Sequence, residues 1–145
     1  MIVVVQRVRE ASVTVGEERV AAIGAGVLLL VGLEKGDGPE ALDRAADKIV
    51  HLRIHDDEAG KLNRSLPESG GEVLAVSQFT LAGDLQRGRR PSFDRAMLPD
   101  EARPLFDAFV ERLRALGVPV QTGVFGARMA VSLVNDGPVT LIGKW

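Results

Sequence analysis

The chain has 145 residues, a formal net charge of −2, 46% hydrophobic residues and no cysteine. This length is typical of one domain, and the apolar content is sufficient for a core without disulfides. The lack of cysteine excludes disulfides, thiolate zinc sites and cysteine nucleophiles. A protein that binds nucleic acid over its whole surface is usually basic, so any such contact by this chain has to be local.

The first half of the chain predicts four strands and a helix. Apolar or alternating segments predict the strands, at 1–8, 11–15, 19–23 and 27–33. The continuous apolar run in the last of these is typical of a buried central strand. Pro39 suits the first turn of a helix, in which apolar spacing continues to Arg53. A polar turn follows at 56–61.

The second half predicts one long helix among further strands. The strands are predicted at 73–79, 118–122, 129–134 and 139–142. The helix is predicted over 99–116, with Gly117 as its C-terminal cap. Pro104 predicts that regular hydrogen bonding starts late in this helix, because proline fits only near a helix start. This order of elements predicts one mixed domain of strands and helices over residues 1–145, with a substantial sheet.

The two histidines do not predict a metal site or a catalytic triad. His51 and His55 are four residues apart in an apparent helix, so both could lie on one face. The glutamate that follows the first histidine in zinc proteases is absent here, and ordinary packing or surface roles are favoured. A Ser-His-Asp triad needs a histidine beside its serine. Any hydrolysis is therefore expected to depend on positioning, backbone donors and groups of the substrate.

One candidate basic patch consists of Arg87, Arg89, Arg90 and Arg95. Only Asp84 and Asp94 are acidic neighbours in the sequence. A solvated surface loop explains this charge pattern as well as an RNA contact does. The first residues lack the pattern of a signal peptide, and no apolar run reaches the length of a membrane helix, so we expect a soluble cytoplasmic protein.

The segment Ser77-Gln78-Phe79-Thr80 is the first candidate for chemistry. It begins in a buried strand and becomes polar just before Gly83, and strand ends that pass into loops are common functional sites. Its side chains offer two hydroxyls, an amide and a flat aromatic face. A strand with two satisfied hydroxyls is the structural alternative.

The segment Asn135-Asp136-Gly137-Pro138 is the second candidate. All four residue types favour a β-hairpin turn, which is the structural alternative here. Only about 5–6% of X-Pro bonds in folded proteins are cis, so composition alone does not predict a cis bond.

Together these segments resemble the two signature motifs of the D-aminoacyl-tRNA deacylase family. Further matching segments stand in the family's order: Gln6-Arg7-Val8, Ala11-Ser12-Val13, Gly60-Lys61-Leu62-Asn63, Arg90-Pro91-Ser92-Phe93, Gln121-Thr122-Gly123 and Val131-Ser132-Leu133-Val134. The resemblance covers nearly the whole chain. It implies an α+β fold with a mixed, barrel-like sheet and two main helices.

The resemblance also implies an activity. The family hydrolyses the ester between a D-amino acid and the terminal adenosine of tRNA, and removes glycine mischarged onto tRNA for alanine. It implies a homodimer with each active site at the subunit boundary, and no metal or organic cofactor. The Gly137-Pro138 bond is implied to be cis and to reach into the pocket of the other subunit. An L side chain would collide with that backbone, and a D side chain would not.

Carried over residue by residue, Ser77, Gln78, Phe79 and Thr80 line the opposite wall of the pocket. Backbone N–H groups near Phe79 and Thr80 are candidates for an oxyanion site. Thr80 is assigned a positioning role, because nothing near it in the sequence could act as its base. Three further matches are Arg7, which supports the Gly-Pro loop, and Phe125 and Met129, which line the pocket or belong to the core.

Gly126 and Arg128 depart from the family pattern, which has alanine and an acidic residue there. Three alternatives remain open at this point. The first is a related deacylase with a trans Gly-Pro pair and a wider pocket, specialised for L-alanine on threonine tRNA. The others are an RNA-binding module that uses the basic patch, and a dimeric scaffold without activity. The signature residues at 77–80 favour the D-selective type.

Overall fold

The computed structural model describes residues 1–86 and 88–145. The strands are β1 (Ile2–Val15), β2 (Glu18–Ile23), β3 (Gly26–Gly32), β4 (His55–Asp56), β5 (Leu62–Arg64), β6 (Glu72–Ser77), β7 (Val120–Thr122) and β8 (Ala130–Lys144). The helices are α1 (Pro39–Val50), α2 (Leu66–Ser69) and α3 (Pro99–Ala115), and a 3₁₀ helix covers Phe79–Ala82. None of the helices in these described ranges is long and apolar enough to cross a bilayer.

A mixed six-stranded sheet is built around β1. Its order is β2-β1-β3-β6-β7, and β8 pairs with the other edge of β1. The pairs β3-β6 and β6-β7 are parallel, and the three pairs of β1 are antiparallel. The edge strands β2 and β7 approach each other, where Ala22 N donates a hydrogen bond to Gln121 Oε1 at 3.0 Å. The predicted α+β fold with a barrel-like mixed sheet is therefore confirmed.

The two long helices cover one face of this sheet. Each buries one apolar stripe, and α1 and α3 contact each other. The core beneath them includes Phe109 and Leu113 of α3, both fully buried, and Leu42 of α1. A second, smaller core lies on the other face of the sheet and includes Val13, Leu28 and Leu74.

Two pairs of predicted strands are single long strands in the structure. The segments 1–8 and 11–15 form β1, and the segments 129–134 and 139–142 form β8. β1 and β8 pair along almost their whole lengths, with register shifts between Gln6 and Val8 and between Val8 and Glu10. The chain therefore does not reverse at 135–140, and the hairpin turn considered there does not form.

Two predictions about the helices are wrong. α1 ends at Val50, so His51 caps the helix and His55 lies on β4, away from any shared helical face. The helical spacing predicted to continue to Arg53 therefore extends three residues beyond the helix, into the loop at 51–54. Pro104 also does not delay α3, because Ala102 N already donates to Leu98 O at 2.8 Å.

Replacement of Phe109 by alanine should lower the free energy of unfolding by about 3–5 kcal/mol, because the ring is fully buried and would leave a cavity. Urea denaturation measures this change. The control Leu62→Ala, at a position 54% exposed on β5, should stay within about 0.5 kcal/mol of the parent. Equal losses in the two variants would contradict this description of the core.

Candidate active site

The first signature segment forms a tight turn at the carboxyl end of a central strand. Ser77 is the last residue of β6, and Gln78 N donates to Val31 O on β3 at 2.7 Å. Leu81 N then donates to Gln78 O at 3.2 Å, which starts the 3₁₀ helix. The predicted strand over 73–79 therefore ends two residues early.

Gly32 at the end of β3 makes room for this turn. A Cβ atom at Gly32 would lie 2.8 Å from Leu81 Cβ and 3.0 Å from Gln78 O. Such distances are too short for a side chain, so the turn can pack against β3 only because this position is glycine. The close approach fixes where the polar residues of the segment emerge from the sheet.

The turn leaves hydrogen-bonding groups open. In the described part of the chain, the backbone N–H groups of Phe79 and Thr80 donate to no acceptor. The Thr80 hydroxyl accepts a hydrogen bond from Gln78 Nε2 at 2.6 Å. Phe79 is 56% exposed, and its ring meets the edge of Phe93 with 5.3 Å between centroids. The turn thus presents an aromatic face, two amide donors and a hydroxyl.

A cavity of about 590 Å³ opens beside this turn. Its lining includes Ser77, Gln78, Phe79, Phe93, Phe125 and Met129. Apart from the first two, the side chains that line it are apolar, and none of the lining residues is charged or a histidine. The cavity can therefore bind a flat apolar group, with polar contacts at one end only.

Phe125 is held in the cavity wall by two contacts. Its ring packs against Phe106 with 6.1 Å between centroids. The guanidinium of Arg103 lies over the ring, 4.8 Å from the centroid, and donates to Phe125 O at 3.4 Å. Phe125 therefore lines the cavity and at the same time packs against the main core through Phe106.

The second signature segment is anchored by Arg7, which is buried. Arg7 Nε donates to Asp136 O at 2.9 Å and lies 3.1 Å from Asp136 Oδ2. Arg7 Nη1 donates to Ile54 O at 2.7 Å and to Asp56 Oδ1 at 3.0 Å. One side chain of β1 therefore ties β4 and the loop before it to the residue that precedes Gly137.

Asn135 fixes the other side of the same loop. Its Nδ2 donates to Arg7 O at 2.9 Å and to Val139 O at 3.2 Å. Between these anchors the Gly137-Pro138 bond is cis, and both residues are exposed. Residues 136–139 have no partner on β1 between the pairs Asn135–Val8 and Thr140–Gln6, so the Gly137-Pro138 loop is a bulge of β8. It presents its backbone on the surface while its flanks are held from below.

The predicted site residues fall into two groups. Ser77, Gln78, Phe79, Phe125 and Met129 surround the cavity, with Thr80 beside it. The second group, which does not line that cavity, consists of Arg7, Gly137 and Pro138. No role was assigned to Phe93 from the sequence, although this residue stands in a segment that resembles the family.

His55 lies on β4 close to Arg7, Asp56 and Asp136, and no role in the site was assigned to it from the sequence. It is 9% exposed, and its Nε2 has no hydrogen-bond partner in the described residues. Burial lowers the pKa of His55 below its ordinary value of 6.5, and the nearby Arg7 lowers this pKa further. Asp136 and Asp56 act in the opposite direction. A buried neutral histidine therefore packs beside the Arg7 anchor.

This arrangement predicts a loss of stability in acid. The unfolded chain takes up the proton of His55 at about pH 6.5, whereas the folded chain takes it up only at lower pH. The free energy of unfolding should therefore fall as the pH drops below about 6.5, and should be insensitive to this group above it. Urea denaturation from about pH 8 to about pH 5 measures the effect. The variant His55→Phe, which keeps a flat ring, should show a weaker fall; an identical fall would contradict the assignment.

Comparison with known proteins identifies the family. The model of the D-Tyr-tRNA(Tyr) deacylase family matches residues 4–144. A D-aminoacyl-tRNA deacylase of Thermomicrobium roseum is 62% identical over 97% of this chain and 92% of its own length. A D-aminoacyl-tRNA deacylase of Thermus aquaticus is 58% identical over 96% of this chain and 91% of its own length.

Two solved structures share the fold. One, titled c-Myc DNA Unwinding Element Binding Protein, is 41% identical, has a TM-score of 0.95, and is matched over 100% of this chain and 99% of its own. The other, titled as a probable eukaryotic D-amino acid tRNA deacylase, has a TM-score of 0.82 at 22% identity, over 98% and 97% of the two chains, and supports the fold alone. The resemblance seen in the two signature segments is confirmed: the chain belongs to the D-Tyr-tRNA(Tyr) deacylase family.

Proposed function

We propose that this chain hydrolyses the ester bond of D-aminoacyl-tRNA and releases the free D-amino acid and tRNA. Family membership and the names of the relatives support this activity. The observation that carries the proposal is the turn at Ser77–Thr80, which borders an apolar cavity and has two amide donors without an acceptor in the described residues. Since tRNA is the substrate, the proposed place of action is the cytoplasm.

The cavity suits the terminal adenosine of tRNA. Phe79, Phe93 and Phe125 supply aromatic faces and edges, and bases stack on such rings with little dependence on sequence. Ser77 and Gln78 supply polar contacts at the end where the ester would lie. The free N–H groups of Phe79 and Thr80 are the proposed donors to the oxyanion that develops as water attacks the ester carbon.

Thr80 is proposed to position groups rather than to attack the ester. Its hydroxyl accepts a hydrogen bond from Gln78 Nε2, which is a donor and cannot remove the hydroxyl proton. No histidine or carboxylate lines the cavity. The proposed nucleophile is therefore a water, activated with help from the ribose 2′-hydroxyl of the substrate, in line with the family resemblance.

A second copy of the chain is proposed to complete the site. Gly137 and Pro138 are exposed and lie outside the cavity of their own chain. The long strand β8 pairs only with β1 in the described part of the chain, and it exposes Leu141 and Ile142. A homodimer would cover such apolar residues and bring the Gly-Pro backbone of one chain to the cavity of the other.

Chiral selection is then proposed to act by rejection. The carbonyl oxygens of Gly137 and Pro138 would accept hydrogen bonds from the α-ammonium of the substrate. With that group and the ester carbon both fixed, a D side chain points to solvent and an L side chain collides with the loop. Glycine has no side chain to reject, so glycine mischarged onto tRNA for alanine is a further proposed substrate.

Hydrolysis of D-Tyr-tRNA and L-Tyr-tRNA by equal amounts of protein tests the proposal. The D ester should be lost rapidly and the L ester spared, because only the L side chain meets the Gly-Pro backbone. Prior treatment with a chelator should leave the rate unchanged, because no metal takes part in the proposed reaction. Equal rates on both esters would favour the wider-pocket relative, and binding without hydrolysis would favour an RNA-binding module.

The variant Gly137→Ala should lose most of its activity on D-Tyr-tRNA. A Cβ atom there would lie 2.6 Å from Val139 N and 2.8 Å from Asn135 Oδ1, so the loop must move. A displacement of about 1 Å at a substrate-positioning group can cost about 100-fold in rate. The matched control is Gly38→Ala, where a Cβ meets nothing within 4 Å and φ is −148°. Similar rates in both variants would remove the loop from the site.

A further inference from the structure

We propose that an exposed arginine loop beside the cavity binds backbone phosphates of the tRNA acceptor end. The arginine loop is defined as residues 84–86 and 88–95, with Arg89, Arg90 and Arg95 as its cations; Arg87 lies outside the described residues. The proposal rests on the proposed function, since it concerns how the same substrate is held. The proposed ligands of the loop are the phosphates next to the terminal adenosine.

The loop begins and ends at the wall of the cavity. Gly83, which precedes it, donates to Thr80 O at 3.0 Å. Asp84 and Ser92 then exchange backbone hydrogen bonds of 2.8 Å and 3.2 Å, which close the loop at its base. Phe93 follows directly and lines the cavity against Phe79. Both ends of the loop are thus joined to residues that the proposed adenosine would contact.

Distance along the chain keeps the arginines near this opening. Arg90 is three residues from Phe93, and three residues span at most about 11 Å. Arg95 is two residues from Phe93, and the next residue, Ala96, also lines the cavity. A nucleotide chain whose last base occupies the cavity must leave through its opening, so its next phosphates pass within reach of these side chains.

The charges of the loop are available to a ligand. Arg89 and Arg90 are exposed and have no carboxylate within 4.0 Å in the described residues. Arg95 is 64% exposed and only 3.6 Å from Glu34 Oε1. By contrast, two arginines of α3 are paired: Arg112 with Asp43 and Arg114 with Glu111.

Two acidic residues also belong to the loop, but one of them is occupied locally. The Asp84 carboxylate accepts a hydrogen bond from Gln86 N at 2.8 Å. Asp94 is exposed, and its backbone N donates to Ser92 Oγ at 3.3 Å. The described part of the loop carries three arginines against these two aspartates, a net charge of +1, on a chain whose formal net charge is −2.

A phosphate backbone is the partner that fits these features. Guanidinium groups bind phosphate oxygens in a planar, bidentate way, and such contacts set the register of a nucleic acid without reading its sequence. An acidic protein segment would also be attracted by the positive charge, but nothing would place it at the opening of a cavity proposed to hold adenosine. The loop would thus align the acceptor end and present the ester to the turn at Ser77–Thr80.

The test measures the hydrolysis of two substrates by the double variant Arg89→Gln/Arg90→Gln. With D-Tyr-tRNA, kcat/KM should fall about tenfold near physiological salt. The slope of log kcat/KM against log salt should become shallower by about 1.4, since each single-strand phosphate contact contributes about 0.7. With the minimal ester D-tyrosyl-adenosine, which has no phosphate, kcat/KM should not change. The control Arg44→Gln changes an exposed arginine of α1 and should behave as the parent with both substrates.

The outcomes separate this proposal from the proposed function. Equal losses of kcat/KM with both substrates would show that the loop shapes the cavity. An unchanged kcat/KM with D-Tyr-tRNA and an unchanged salt slope would show that the loop does not contact the tRNA. Either result overturns the proposal. If the parent hydrolyses neither ester, the proposed function fails. Fluorescence anisotropy with uncharged tRNA then decides about the loop: weaker binding by the double variant supports it, and equal binding overturns it.

Discussion

The buried guanidinium of Arg7 constrains much of the structure around the second signature segment. A buried charge is costly unless it is paired and hydrogen-bonded, so Arg7 requires all of its partners at once. These partners are Ile54 O, Asp56 and Asp136, which come from the loop after α1, from β4 and from β8. Arg7 lies within β1, which is paired on both edges. Its hydrogen bonds therefore attach the three segments to the most central strand of the sheet. The Gly137-Pro138 loop is therefore held by β1 as well as by the local hydrogen bond from Asn135 to Val139 O.

The cavity side of the site is organised independently of this anchor. The turn at Ser77–Thr80 depends on the parallel pairing of β3 and β6 and on the space above Gly32. Its cavity has no acidic or basic side chain, so catalysis in the proposed reaction has to come from placement of the ester, the water and the ribose hydroxyl. Gly137 and Pro138 do not line the cavity of their own chain. This separation is the structural reason for proposing that two copies act as one enzyme.

Local patterns predicted most strands and the long helices, because these depend on periodicity that a single segment carries. The residues around the cavity were assigned by family resemblance, and local pattern marked only the segment 77–80 as a candidate. Local patterns failed where a distant partner decides the outcome. The strands predicted separately at 129–134 and 139–142 form one strand because β1 pairs with both segments. Arg7 and Phe125 were assigned by family resemblance, and their contacts with Asp136 and Arg103 connect segments far apart in sequence. Such pairs leave no trace in local composition, and His55 beside Arg7 was missed for the same reason.

The proposed division of recognition has a consequence for what mutation can change. Phosphates and adenosine would be bound by side chains, which single substitutions can alter gradually, as the arginine loop and the aromatic lining illustrate. The amino acid would instead be met by backbone atoms of Gly137 and Pro138, whose chemistry does not depend on the side chain at that position. Only the placement of that backbone can vary, and placement is set by Arg7 and Asn135 from below. Selectivity for D-amino acids would then be lost mainly through residues that never touch the substrate, while affinity for tRNA would be tuned separately at the surface.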